Sequence, residues 1–112
     1  MTEFDIQKLL IAWFRKNYKN IPCFAIPNGE IRDKVTAARL KQSGTLAGIP
    51  DLLIADGSPG LFLEVKKSNG KLSLNQKVVI AQLKEQGYTV EVCYSYEEGK
   101  EIILNYLNKH KY

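Results

Sequence analysis

The sequence predicts an α/β domain: one mixed β-sheet with helices on its faces, in the order αβαββαβα. Three observations predict it. Four segments carry helical periodicity, four short apolar runs read as strands, and the two kinds interleave along 112 residues, which suits a single domain over 1–112. The runs at 51–55 and 61–66 are close enough to form a hairpin, hence an antiparallel pair. A helix-length segment separates 61–66 from 88–94, which demands a parallel crossover.

Each element has its own signals. Over 3–16, Ile6, Leu9, Leu10, Trp13 and Phe14 fall at helical spacing, with Thr2 as cap and Glu3 and Asp5 in the first turn. IPCFAIP, 21–27, is a strand bounded by prolines, and Asn28-Gly29 turns the chain. Asp33 caps a weaker helix that runs to about Gln42 and stops at Ser43-Gly44. The strands at 51–55 and 61–66 flank DGSPG. Ser73 begins a helix with Val79, Ile80 and Leu83 on one face and Gly87 at its end. YTVEVCY, 88–94, is a strand. Ser95 and Glu98 form a capping pattern for a last helix carrying Ile102, Ile103, Tyr106 and Leu107.

Composition narrows the function classes. With 45% hydrophobic and 25% charged residues, the chain reads as an ordinary globule, and no apolar run approaches the ~20 residues of a membrane span. MTEFDIQKLL lacks the basic-then-apolar order of a signal peptide. Cys23 and Cys93 both lie in strand-like apolar runs and read as buried reduced thiols. His110 is the lone histidine and sits in a polar tail, which excludes a histidine triad or a zinc site. A net charge of +4 leans toward a polyanionic partner.

The informative stretch is GIPDLLIADGSPGLFLEVKKSNG, 48–70, because charges occupy positions where a buried strand should be apolar. Along 61–66, Leu61, Leu63 and Val65 share one face, and Phe62, Glu64 and Lys66 the other. If the hairpin loop is the four residues 56–59, Asp51 lies opposite Glu64 on one face; a five-residue loop puts them on opposite faces unless a bulge intervenes. Two ionised carboxylates ~4–5 Å apart repel by about 3–4 kcal/mol at an effective dielectric near 20. A lysine offsets part of this and a divalent cation more. All-oxygen ligands suit Mg²⁺ or Mn²⁺, with the Val65 carbonyl as a third donor. Taken alone, the pattern equally describes an edge-strand ion pair of Glu64 with Lys66 or Lys67, with Asp51 ending a loop after Pro50.

The flanking motifs add to that reading. Glu3-x-x-x-Gln7, Pro27-Asn28-Gly29, Gly44…Gly48-Ile49-Pro50-Asp51, Leu63-Glu64-Val65-Lys66, Leu72-Ser73 with Gln76, and Gly87-Tyr88 follow one another in order. Over nearly the whole chain this resembles the virus-type replication-repair nuclease domain (VRR-NUC) of the PD-(D/E)-x-K nucleases. The resemblance implies a restriction-endonuclease-like sheet and metal-dependent hydrolysis of DNA phosphodiesters. It makes Asp51, Glu64 and the Val65 carbonyl the ligands of Mg²⁺ or Mn²⁺, with Glu3 reaching the metal directly or through water. It makes Lys66 the catalytic lysine and Gln76 the active-site glutamine. Asp5 is an alternative to Glu3, and an S-x-x-Q cap alone would also explain Gln76.

Basic residues supply the candidate DNA surface. Arg32, Lys34, Arg39 and Lys41, preceded by Asn28, read as an arm tracking phosphates, and Lys67 and Lys71 lie just past the catalytic strand. The same charges also fit a solvated helix face. Trp13, Phe14 and Phe62 read as core, and Tyr88 and Tyr94 as packing groups. Sequence and resemblance together lead to the expectation of a homodimeric, structure-selective DNA endonuclease resolving Holliday junctions in the cytoplasm of a bacterial or phage-infected cell. A nicking or flap-type repair nuclease and a non-catalytic nucleic-acid-binding domain of the same fold are the alternatives.

Overall fold

The computed structural model describes residues 1–28 and 33–110. The elements follow in the expected order: α1 (Glu3–Asn17), β1 (Cys23–Ala25), α2 (Lys34–Ser43), β2 (Leu52–Ile54), β3 (Leu61–Val65), α3 (Leu74–Glu85), β4 (Thr89–Cys93) and α4 (Tyr96–Lys109). The four strands form one sheet in the order β1-β2-β3-β4. The β1–β2 and β2–β3 pairs are antiparallel and β3–β4 is parallel. β1 is shorter than the predicted 21–27 because Pro22 and Pro27 flank it. Single bonds carry the pairing past both its ends, from Ala55 N–H to Pro22 O and from Ile26 N–H to Asp51 O.

Strand alternation divides the core in two. Leu61, Leu63 and Val65, with Leu52 and Ile54, face α1 and α4 and bury Ile6, Leu10, Phe14, Ile103 and Leu107. Phe62 and Val90 face α3 and meet Ile80. Gly99 lets α4 approach α1, since a Cβ there would fall 2.8 Å from a Leu10 methyl. Cys23 and Cys93 are buried free thiols, and burial pushes them up to about 11 and about 12.

One helix departs from the expected layering. α2 buries no residue, and its backbone comes close to no other described helix or strand. Its apolar residues are only Val35, Ala37, Ala38 and Leu40, too few for a stripe, and Val35 is 60% exposed. Its ends are nonetheless well formed: the Asp33 side chain accepts from Val35 N–H, and Gly44 closes the helix at φ 106°.

The β2–β3 register pairs Leu52 with Leu63, Leu53 with Phe62 and Ile54 with Leu61. Continued outward, it sets Ala55 opposite Gly60 and leaves the four-residue turn 56–59. Tyr106 on α4 ties this turn down. Its hydroxyl accepts from Gly60 N–H at 2.9 Å and donates to Asp56 Oδ1 at 2.7 Å. Tyr106→Phe removes both bonds from a group only 5% exposed and is expected to cost about 1–3 kcal/mol, read by urea unfolding; an unchanged midpoint would show the turn held by packing alone.

Candidate active site

The same register, continued inward by one residue, places Asp51 directly opposite Glu64 on the α3 face. Asp51 Oδ2 accepts from Val65 N–H at 2.8 Å. Lys66 follows on the same face, with Nζ 3.8 Å from Glu64 Oε2 and only 9% of the residue exposed. Its backbone N–H bonds to Cys93 O on β4. Glu64 is 2% exposed. Asp51, Glu64 and Lys66 therefore gather in one small volume at the end of the hairpin opposite the turn.

Pro50 falls opposite Val65 when the register is continued once more. Val65 directs its N–H toward β2, and a strand residue presents its carbonyl on the same edge. A residue with an N–H opposite would donate to that carbonyl. Pro50 has none, so the Val65 oxygen is denied its ladder partner beside the Asp51 carboxylate. The sequence reading missed this role for Pro50, whose signal is the absent donor once the register is known.

Gln76 closes the cap and also reaches Glu64. Ser73 Oγ accepts from Gln76 N–H, and Gln76 Oε1 accepts from Ser73 N–H at 2.9 Å, which closes a capping box. Because Oε1 is bound to that donor, the amide nitrogen must turn the other way. It donates to Glu64 Oε2 at 3.3 Å. The loop bearing Pro50-Asp51 rests on this helix start at Gly48, which has φ 88°. A Cβ at Gly48 would lie 2.6 Å from the Asn75 carbonyl oxygen, so only glycine fits.

The structure separates Glu3 from Asp5. Asp5 Oδ2 accepts from Thr2 N–H and Thr2 Oγ1 from Asp5 N–H, so Asp5 is committed to the α1 cap. Glu3 reaches across to the loop just past β3, where its Oε2 accepts from Lys67 N–H at 3.2 Å. Its charge also acts on both Asp51 and Glu64.

Burial raises Asp51 above the usual carboxylate range, and burial together with the adjacent Asp51 charge raises Glu64 to about 8. Without a cation the pair retains a proton at neutral pH. Among the described residues no three His, Cys, Asp or Glu side chains gather as a metal cluster. The donors available are two carboxylates and a backbone carbonyl, a hard oxygen set that fits Mg²⁺ or Mn²⁺.

The predicted DNA surface is only partly assembled around this centre. Lys67 and Lys71 are exposed just beyond β3, and Asn28 is half-buried two residues past the Ile26–Asp51 bond. Lys34, Arg39 and Lys41 are exposed on α2, which stands off the sheet. Arg32 lies outside the described residues.

The VRR-NUC domain family model matches residues 1–97. Among solved structures, a protein named as a VRR_NUC domain protein is 27% identical, with a TM-score of 0.80 over 96% of this chain and 89% of that one. A second, named as a VRR_NUC domain, is 21% identical with a TM-score of 0.64 over the whole of both chains. No curated protein matches.

The raised carboxyl has a thermodynamic consequence. Glu64 has an ordinary pKa of 4.5 unfolded and about 8 folded. Between those values the folded chain holds a proton that the unfolded chain releases, so stability falls as pH rises through that window. In EDTA the thermal midpoint is expected to drop from pH 5 to pH 8. Glu64→Gln should flatten the profile and raise the pH 8 midpoint by ~5 °C or more. A wild-type midpoint rising over that range would contradict the shared-proton pair.

Proposed function

The chain belongs to the VRR-NUC domain family, a family of nuclease domains, and on that premise we propose that it is a divalent-metal-dependent DNA endonuclease selective for branched DNA. Four-way junctions are the leading substrate and a two-fold homodimer the working form. The observation that carries the reading is the cluster of Asp51, Glu64, Lys66 and Gln76 on one sheet face.

Asp51, Glu64 and the Val65 carbonyl would hold Mg²⁺ or Mn²⁺, and Glu3 stands close enough to act electrostatically on both carboxylates. When bound, the ion supplies Lewis-acid stabilisation of phosphoryl charge and lowers the pKa of water. The protein's own part is positional. Gln76 donates to Glu64 Oε2 and fixes the carboxylate's rotamer. Lys66 lies against the same oxygen, held by its buried stem, and presents its ammonium to the scissile phosphate or the attacking water.

Branched DNA is favoured by the way positive charge is displayed. Lys34, Arg39 and Lys41 are exposed on α2, a helix that buries no residue, while Lys67 and Lys71 lie just past the catalytic strand. Two separated basic surfaces engage two phosphate tracks more naturally than one groove. Paired cuts in a junction require two sites, which a two-fold dimer supplies.

An immobile four-way junction and a matched linear duplex, each with Mg²⁺, Mn²⁺ or EDTA, test this. Symmetric junction cuts that need metal are expected, with Lys66→Ala slower by roughly 100-fold or more and a dimer in sedimentation. Cutting of flaps or nicking of duplex instead would overturn the junction assignment. Absence of metal-dependent cleavage on any DNA would overturn the nuclease reading itself.

A further inference from the structure

A cavity of about 220 Å³ opens beside the catalytic strand, on the side of α1 and α4. Tyr94, Tyr96, Ser68 and Glu97 line it, with Met1 and Ile6 supplying apolar surface. Two short links tie it to the carboxylate–lysine centre. Ser68 follows Lys66 by two residues, and Lys67 between them is bonded to Glu3. Tyr94 follows Cys93, whose carbonyl receives the Lys66 N–H at 2.9 Å. The cavity thus sits at the carboxyl ends of the parallel strands β3 and β4, where open α/β sheets place ligands.

Its lining is unlike the rest of the site's surroundings. Tyr94 is 37% exposed, so a packing role leaves much of its ring in solvent. Tyr96 carries Lys100 Nζ over its ring at 4.3 Å, which holds that ring in place. Met1 is 76% exposed and Phe4, near the same end of α1, is 69% exposed. Apolar and aromatic surface next to a site that binds a polyanion serves something other than phosphate. The Glu97 carboxylate decides the point, because it repels a phosphate and accepts hydrogen bonds from an amino group.

We propose that this cavity takes one unpaired nucleobase of the DNA, stacked on Tyr94 and Tyr96 with its amino edge toward Glu97, while the adjoining phosphate passes to Lys67 and the catalytic centre. The volume accommodates a single base and not a base pair. Removing a base from a duplex costs free energy, so the cavity favours DNA in which a base is already unpaired near the cut: a bulge, a flap base or a strained junction. Stacking on aromatic rings tolerates any base, and the Glu97 carboxylate disfavours thymine, which has no amino group. This inference rests on the nuclease reading for its substrate but not for its test.

The test is a binding comparison, made in Mg²⁺ on a Lys66→Ala background so that the DNA is not cut. Fluorescence anisotropy is measured on three duplexes: fully paired, with a one-nucleotide cytosine bulge, and with an abasic residue at the bulge. The cytosine bulge is expected to bind roughly 5- to 100-fold tighter than the other two, the range base–aromatic stacking provides. Tyr94→Ala should erase that preference and leave fully paired affinity unchanged. Ser68→Trp, a change on an exposed loop that fills the cavity from its rim, should do the same, and Tyr94→Phe should keep the preference. Equal binding of cytosine and abasic bulges would overturn the proposal, as would full preference in Tyr94→Ala or Ser68→Trp. A base preference in a protein that cuts no DNA would leave the cavity standing and remove only the hydrolytic reading.

Discussion

Everything at the centre of this molecule depends on one pairing: Asp51 opposite Glu64 across a two-stranded antiparallel ribbon. Strand side chains alternate, so a slip of one residue would send one carboxylate to the α1–α4 core and dissolve the site. The register is set at the other end of the hairpin. A four-residue turn closes it, and Tyr106 holds that turn from both sides through Gly60 and Asp56. Two hydrogen bonds from a helix on the opposite face thus hold the turn whose length decides which face the charges occupy.

Around that pairing, each neighbour is used twice. Pro50 ends the loop and also withholds a donor from the Val65 carbonyl. Gln76 caps α3 with its oxygen and orients Glu64 with its nitrogen. Gly48 turns the chain at φ 88° and lets the loop lie on the start of α3. Such double use is economical in a domain of this size, because each constraint on a side chain is already provided by a structural need. It also couples folding to function, since a buried carboxylate pair that keeps a proton opposes folding as pH rises, while a cation on the same oxygens would favour it.

The sequence made the order of elements, the helix spans and the parallel crossover legible because they rest on local periodicity and caps. The carboxylates and lysine were legible as out-of-place charges. What it left open was long-range. The parity of the DGSPG turn decides whether Asp51 meets Glu64, and the residue that fixes the turn lies 46 positions away from Gly60. Glu3 and Asp5 are indistinguishable on a helical first turn until Thr2 is seen to claim Asp5. α2 was read as one more layer helix, and its want of an apolar stripe was the available sign that it buries no residue. The cavity beside Tyr94 was equally out of sight, because it is assembled from α1, the loop after β3 and the start of α4.

The two faces of the sheet divide stability from chemistry. On the α1–α4 face β3 is apolar from end to end, with Leu61, Leu63 and Val65 each 1% exposed or less. On the α3 face β3 is apolar at the turn end, where Phe62 meets Ile80 and Val90, and turns to Glu64 and Lys66 at its other end, beside Gln76. Because β3 contributes to both faces, the apolar side holds its backbone rigid while the charged side bears the repulsion. A site of like charges needs that rigidity, for two carboxylates free to separate would relax apart and lose their shared geometry. The strand's five-residue run of complete burial is therefore what makes its one buried acid useful.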